Sequence, residues 1–194
     1  MSDADRGEAY SPSSALSNGG LEQQIRRYVD DSNAAYAAFP DTRTISYGKK
    51  PSNTIDIVFP APDKRFPLLV FLHGGYWQEL SKKESFFPAA QALPRGSAFA
   101  AIDYTLAPVA TIDEIVEECC AALTLLVKDA EKLNIDPARI VLSGSSAGAH
   151  LAAMCCLKLP PALAPCGVVL MSGIYELAPL VGTYINDVVG MDYL

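Results

Sequence analysis

The chain has 194 residues, half of them hydrophobic and 19% charged, with a formal net charge of −7. That is material for one domain with a sizeable core, which argues against disorder of the whole chain. An acidic chain whose only basic runs are Arg26-Arg27, Lys49-Lys50 and Lys82-Lys83 is a poor match for nucleic acid or an anionic membrane, and none of its apolar runs approaches membrane-spanning length.

Residues 1–20, rich in Ser, Ala, Gly, Asp and Glu, have no apolar stretch of signal-peptide type and read as a disordered lead-in. Leu21 to Phe39 has helical spacing, with Leu21, Ile25, Tyr28 and Val29 on one side, and Pro40 ends it. Thr42 to Tyr47 and Thr54 to Phe59 alternate as strands and predict an antiparallel opening hairpin. Phe66 to Leu72 is a continuous apolar run suited to a strand buried on both faces of a parallel sheet. Ser81 to Leu93 reads as a helix and Ser97 to Tyr104 as another buried strand.

Thr111-Ile112-Asp113-Glu114 has the pattern of a capping box, and Ile112, Ile115, Val116, Cys119, Leu123 and Leu126 mark one face of the helix that follows. Asp136-Pro137 reads as a break. Arg139 to Ser143 is then a short strand, Ser146 to Leu159 a helix stopped by Pro160-Pro161, and Cys166 to Ser172 a last apolar strand. Strands alternating with helices predict an α/β fold, a mostly parallel sheet with helices on both faces. The five cysteines, Cys119, Cys120, Cys155, Cys156 and Cys166, show no C-x-x-C spacing, so neither a zinc site nor a redox motif is indicated. Their odd count fits reduced thiols in a cytosolic protein.

The chemistry-bearing signal is Gly144-Ser145-Ser146-Ala147-Gly148, a G-x-S-x-G between a predicted strand and a predicted helix. A tight strand-to-helix turn lifts the central serine hydroxyl above the sheet, and the helix N-terminus favours developing negative charge. Chance alone gives about 0.06 such matches in a chain of this length, so the motif needs its context, which the flanking elements supply. Ser146 is the predicted nucleophile. Ser145, in the position before it, reads as structural or pocket-lining.

A second motif, His73-Gly74-Gly75-Tyr76-Trp77, follows the apolar strand. Consecutive glycines leave backbone amides unobstructed, as an oxyanion hole requires, so Gly74 and Gly75 are predicted donors, with the amide of Ala147 as the third. Together the two motifs specify the α/β-hydrolase fold. His73 reads as a residue ordering the glycine loop, and His150, on the helix after the turn, as poorly placed to be the general base.

A serine nucleophile needs a base and an orienting acid, which in this fold follow it in the order acid, then His. Both histidines lie at or before position 150. Asp187 and Asp192 come late enough to be the acid but have no strand before them. The triad acid and base are therefore expected to be absent, residues 21–194 to form an incomplete α/β-hydrolase domain lacking its last strands, and the chain as it stands to be weakly stable and nearly inactive.

His73-Gly74-Gly75-Tyr76-Trp77-Gln78 with Ser81-Lys82-Lys83-Glu84-Ser85 resembles the H-G-G-x-W region of kynurenine formamidases (arylformamidases). Asp103-Tyr104-Thr105-Leu106-Ala107-Pro108, Gly144 to Met154 and Ser172 to Leu180 are similar to later segments of that family. The resemblance implies hydrolysis of N-formyl-L-kynurenine to L-kynurenine and formate, with Ser146 as nucleophile and Gly74 and Gly75 in the oxyanion loop. The family's Asp and His match no residue here. A small-molecule substrate, no cofactor or metal, and a cytoplasmic setting are the accompanying expectations. Tyr76, Trp77, Tyr104 and Tyr175 are candidates to line an aromatic pocket. The alternatives are a general carboxylesterase of the same fold and a non-catalytic pseudo-hydrolase that kept the fold.

Overall fold

The computed structural model describes residues 3–11, 14, 16, 19–62 and 64–192. Six strands, β1 (Arg43–Ser46), β2 (Thr54–Val58), β3 (Phe66–Leu72), β4 (Ala98–Ile102), β5 (Ile135–Ser145) and β6 (Gly167–Met171), form one sheet in the order β1-β2-β4-β3-β5-β6. The predicted opening hairpin pairs β1 with β2 antiparallel, and β2 also runs antiparallel to β4. The pairings of β3 with β4, β3 with β5 and β5 with β6 are parallel. β3 is thus central, flanked by β4 and β5, which explains its unbroken apolar sequence.

Alternation along the strands separates two cores. Ile57, Val70, Leu72, Ala100 and Ile102 face a large cluster with Cys119, Leu123, Ala147 and Leu151, drawn from α4 (Ile112–Lys128) and α5 (Ala147–Lys158). Their neighbours Val58, Phe71, Phe99 and Ala101 face a smaller cluster with Ala35, Phe86 and Ala89, drawn from α2 (Gly20–Ala38), α3 (Ala89–Ala92) and the turn before it. A period of two that sends alternate residues into different cores is what helices on both faces of one sheet require. The N-terminus of α4 carries the predicted capping box: the Thr111 hydroxyl accepts from the Glu114 amide, and Glu114 accepts from the Thr111 amide.

Four expectations need correction. Residues 81–93 do not form one helix: a 3-10 turn (Lys82–Ser85), the short α3 and a second 3-10 turn (Leu93–Arg95) replace it, because Pro88 and Pro94 cannot donate into a continuing ladder. β5 is longer than Arg139 to Ser143. It starts at Ile135, opposite Phe66, and runs through Pro137, with a register shift between Phe66 and Leu68 that absorbs the missing donors of Pro67 and Pro137. Within the span read as a disordered lead-in, Asp3–Ala9 is a helix, α1, with Arg6 in its last turn, where a cation suits the helix dipole. Its successor Tyr10 is held by the Tyr76 hydroxyl, which donates to the Tyr10 carbonyl at 2.6 Å. Finally, only the second half of α2 packs on the sheet: Ser32 and Ala35 are buried, while Leu21 and Tyr28 stay exposed.

A buried polar cluster joins β2 to the turn after the glycine loop. The Asp56 carboxylate, 1% exposed, accepts from Lys82 Nζ at 2.7 Å, Thr44 Oγ1 at 2.6 Å and Tyr36 Oη at 2.7 Å, with Lys83 Nζ at 3.3 Å. Burial by itself raises this carboxyl's pKa. The hydrogen bonds from Lys82, Thr44 and Tyr36 outweigh that and hold it below its ordinary value.

Candidate active site

β5 ends at Ser145 and α5 starts at Ala147, so Ser146 is the whole of the turn between them. Its backbone sits at φ 55°, ψ −119°, a strained conformation for a residue with a side chain. Two backbone approaches hold it there. The Ser146 amide donates to the Met171 carbonyl at the end of β6, at 2.8 Å. Gly148 lies against the last turn of β3, so that a Cβ there would fall on the Leu72 carbonyl oxygen. A Cβ on Gly144 would likewise fall on the Gly148 carbonyl. The two glycines of the motif are therefore required by crowding between backbones.

The glycine loop closes over this turn from β3. A Cβ on Gly74 would lie 2.9 Å from the Ser145 carbonyl oxygen and 3.3 Å from Cβ of Ser146. Gly75 has φ 102°, and its carbonyl accepts from the amides of Gln78 and Glu79, both at 2.9 Å, which turns the chain back on itself. Among the described residues, the amides of Gly74, Gly75 and Ala147 donate to no carbonyl or side chain. Ala147 is the first residue of α5, where an amide has no partner within the helix. The Ser146 hydroxyl is half-buried and makes no hydrogen bond among the described residues. The arrangement thus places a serine hydroxyl at a helix N-terminus, next to a glycine loop whose amides have no partner among the described residues, the kind of donor set that can bind an oxyanion.

His73 lies directly after β3, at the entry to the glycine loop. It is fully buried and stacked on Tyr104 with ring centroids 4.0 Å apart. Its Nδ1 donates to the Gly74 carbonyl at 2.8 Å, the Tyr104 hydroxyl donates to the His73 carbonyl at 2.8 Å, and Nε2 lies 3.5 Å from Asp103 Oδ1. His150 stands on α5 with its amide 3.2 Å from the Ser146 carbonyl and its ring edge-on to Trp77. Burial holds its pKa below the ordinary imidazole value. Asp187, on a short helix α6 (Asn186–Val189), and Asp192 are both exposed. Neither forms an ion pair or hydrogen bond with a histidine among the described residues.

The aromatic pocket is corrected in two of its four members. Trp77 is fully buried, at φ 61°, and Tyr104 is 1% exposed beneath His73, because each ring is turned inward and held by a histidine. Tyr76 is half-buried and Tyr175 is 57% exposed, so these two remain at the surface. The pairing of Trp77 with His150 was missed from the sequence. Spacing places His150 one turn beyond Ser146 but carries no signal of Trp77 as its partner. The described residues contain no group of three or more His, Cys, Asp or Glu able to hold a metal ion, and no helix among them is long and apolar enough to cross a membrane.

The BD-FAE family model matches residues 55–160, from within β2 through the glycine loop, the serine turn and α5. The chain is 31% identical over 191 residues to a kynurenine formamidase of Danio rerio, covering 92% of this chain and 62% of that protein. It is 33% identical over 150 residues to a kynurenine formamidase of Salmo salar, covering 74% of this chain and 49% of that one. A crystal structure from Silicibacter sp., described as a candidate thioesterase, superposes with a TM-score of 0.84 at 31% identity, covering 95% of this chain and 70% of the other. The chain therefore spans 62% and 49% of the length of these two curated relatives.

Proposed function

The chain belongs to the BD-FAE family and has the α/β-hydrolase fold, and from that premise we propose that it is a serine hydrolase whose substrate is N-formyl-L-kynurenine. The observation that carries the reading is the close approach of Gly74 to Ser146, a serine held with positive φ: a methyl on that glycine would sit 3.3 Å from the serine Cβ. The similarity to kynurenine formamidases supports the substrate.

In the proposed reaction Ser146 Oγ attacks the formyl carbon as its proton passes to a base. The carbonyl oxygen becomes an oxyanion facing the amides of Gly74, Gly75 and Ala147. Collapse breaks the C–N bond, the amine of L-kynurenine leaves with a proton, and water then releases formate from the formyl-serine. Neither histidine of this chain meets the geometric demand on that base. His73 is sealed under the loop and His150 lies along the helix from Ser146. The base is assigned to no residue here. The free cysteines support the reading of a cytoplasmic protein.

A fluorophosphonate probe tests the nucleophile: with its base present Ser146 labels, and the Ser146→Ala variant does not. Labelling that persists in Ser146→Ala would overturn the assignment. The substrate is tested by turnover of N-formyl-L-kynurenine against short aryl esters. The similarity to a candidate thioesterase favours esters or thioesters as the second reading, and turnover of esters with none of the formamide would select it. With the base present, an intact fold that neither labels nor turns over any of these substrates would favour the pseudo-hydrolase.

A further inference from the structure

We propose that His150 is the positioning residue of the glycine loop: its ring braces Trp77 and so keeps the Gly74 and Gly75 amides in register with the Ser146 hydroxyl. The inference rests on the reading of that loop as an oxyanion hole. The loop is a strained object, with Tyr76 at φ 47°, Trp77 at φ 61° and Leu80 at φ 67°, none of them glycine. Side chains enter that region only where surrounding structure holds them.

Trp77 is fully buried in the larger core, and three specific contacts involve its backbone and ring. Its carbonyl accepts from the Ala107 amide at 2.8 Å. Its ring meets Tyr76 at 6.2 Å and His150 at 5.2 Å, the latter at an interplanar angle of 87°. The first two tie the loop to other loop residues. His150 ties it to α5, the helix that begins at Ser146, and does so one turn from the nucleophile. Displacing that ring frees the loop to move relative to the hydroxyl while leaving both elements folded.

The pair is not what core packing alone selects. Trp77 Nε1 and His150 Nδ1 are both buried, and neither finds a hydrogen-bond partner among the described residues. Unpaired buried polar atoms are destabilising, and two apolar rings would avoid both. Burial keeps the imidazole neutral at neutral pH, so the brace brings no charge under the loop.

Trp77 is the sole tryptophan of the chain, so its emission reports the loop directly. In the full chain, His150→Ala shifts Trp77 emission to the red and opens it to acrylamide quenching, while His150→Phe, which keeps a ring, leaves both near wild type. Fluorophosphonate labelling of Ser146 falls by about 10²-fold in His150→Ala, the scale of one lost oxyanion donor, and recovers in His150→Phe. Circular dichroism and melting establish that each variant is folded. Should His150→Ala not fold, His150→Gln replaces it with the same expectations. Unchanged emission and quencher access in the folded variant overturn the proposal. So does lost labelling with Trp77 unmoved, since His150 then acts on the serine directly. A wild-type chain that does not label bears on the nucleophile and its base and not on the brace, which the Trp77 measurements alone then decide.

Discussion

Gly148 is clamped against Leu72: the carbonyl oxygen at the end of β3 occupies the space where any side chain on Gly148 would begin. This contact joins the helix that follows Ser146 to the strand that carries the glycine loop, so the two halves of the candidate site share one rigid junction. Gly148→Ala places a methyl on backbone that belongs to the sheet and cannot swing aside. The expected cost is more than about 4 kcal/mol, in the range reserved for severe overpacking. Denaturant unfolding of the variant measures it, and a loss below about 1 kcal/mol would show that the junction is soft.

Ser146 stores strain that the fold tolerates for its hydroxyl. A non-glycine residue in such a conformation costs on the order of 1–3 kcal/mol. Glycine relieves that strain but gives back about 0.4–1 kcal/mol through a freer unfolded chain. Ser146→Gly is therefore expected to raise stability by about 1 kcal/mol while abolishing fluorophosphonate labelling. A urea titration checks the first effect. A less stable Ser146→Gly chain would contradict the strain.

The Asp56 cluster is expected to be fragile to single changes. Lys82→Met removes the nearest cation from a carboxylate that is 1% exposed and leaves Lys83 as its remaining cationic partner. Breaking a buried pair in this way costs about 3–5 kcal/mol, and the double variant Asp56→Leu with Lys82→Met is expected to cost less than the single change. The sign of the pH dependence follows from the lowered pKa of Asp56. The stabilisation is fully present above the unfolded value near 3.8 and is lost as pH falls through the lower folded value. In Lys82→Met the acid limb of the stability profile starts at higher pH, which melting at a series of pH values reads.

Tyr76 is expected to hold the N-terminal helix in place. Tyr76→Phe deletes the bond to the Tyr10 carbonyl and nothing else of the ring. Global stability is expected to change by about 1 kcal/mol or less, but hydrogen exchange over residues 3–11 is expected to speed up. Unaltered exchange there would show that α1 is held by its other contacts.

Much of the site was legible in the sequence because its demands are local. Gly-x-Ser-x-Gly between an apolar strand and a helix, and two glycines after another apolar strand, are patterns that backbone crowding imposes within a few residues. The apolar runs of β3 and β4, the capping box at Thr111 and the antiparallel hairpin were legible for the same reason. Where proline interrupted a period the sequence misled, making residues 81–93 too regular and β5 too short, because neighbouring strands decide whether a break is absorbed by a register shift. What only the tertiary structure decided are the contacts between segments distant in the chain. Trp77 turned inward against His150 rather than outward to a pocket, Asp56 gathered Lys82, Thr44 and Tyr36, and Tyr10 met Tyr76. Each depends on which surfaces the sheet brings together, and no periodicity within one segment encodes the identity of the segment packed against it.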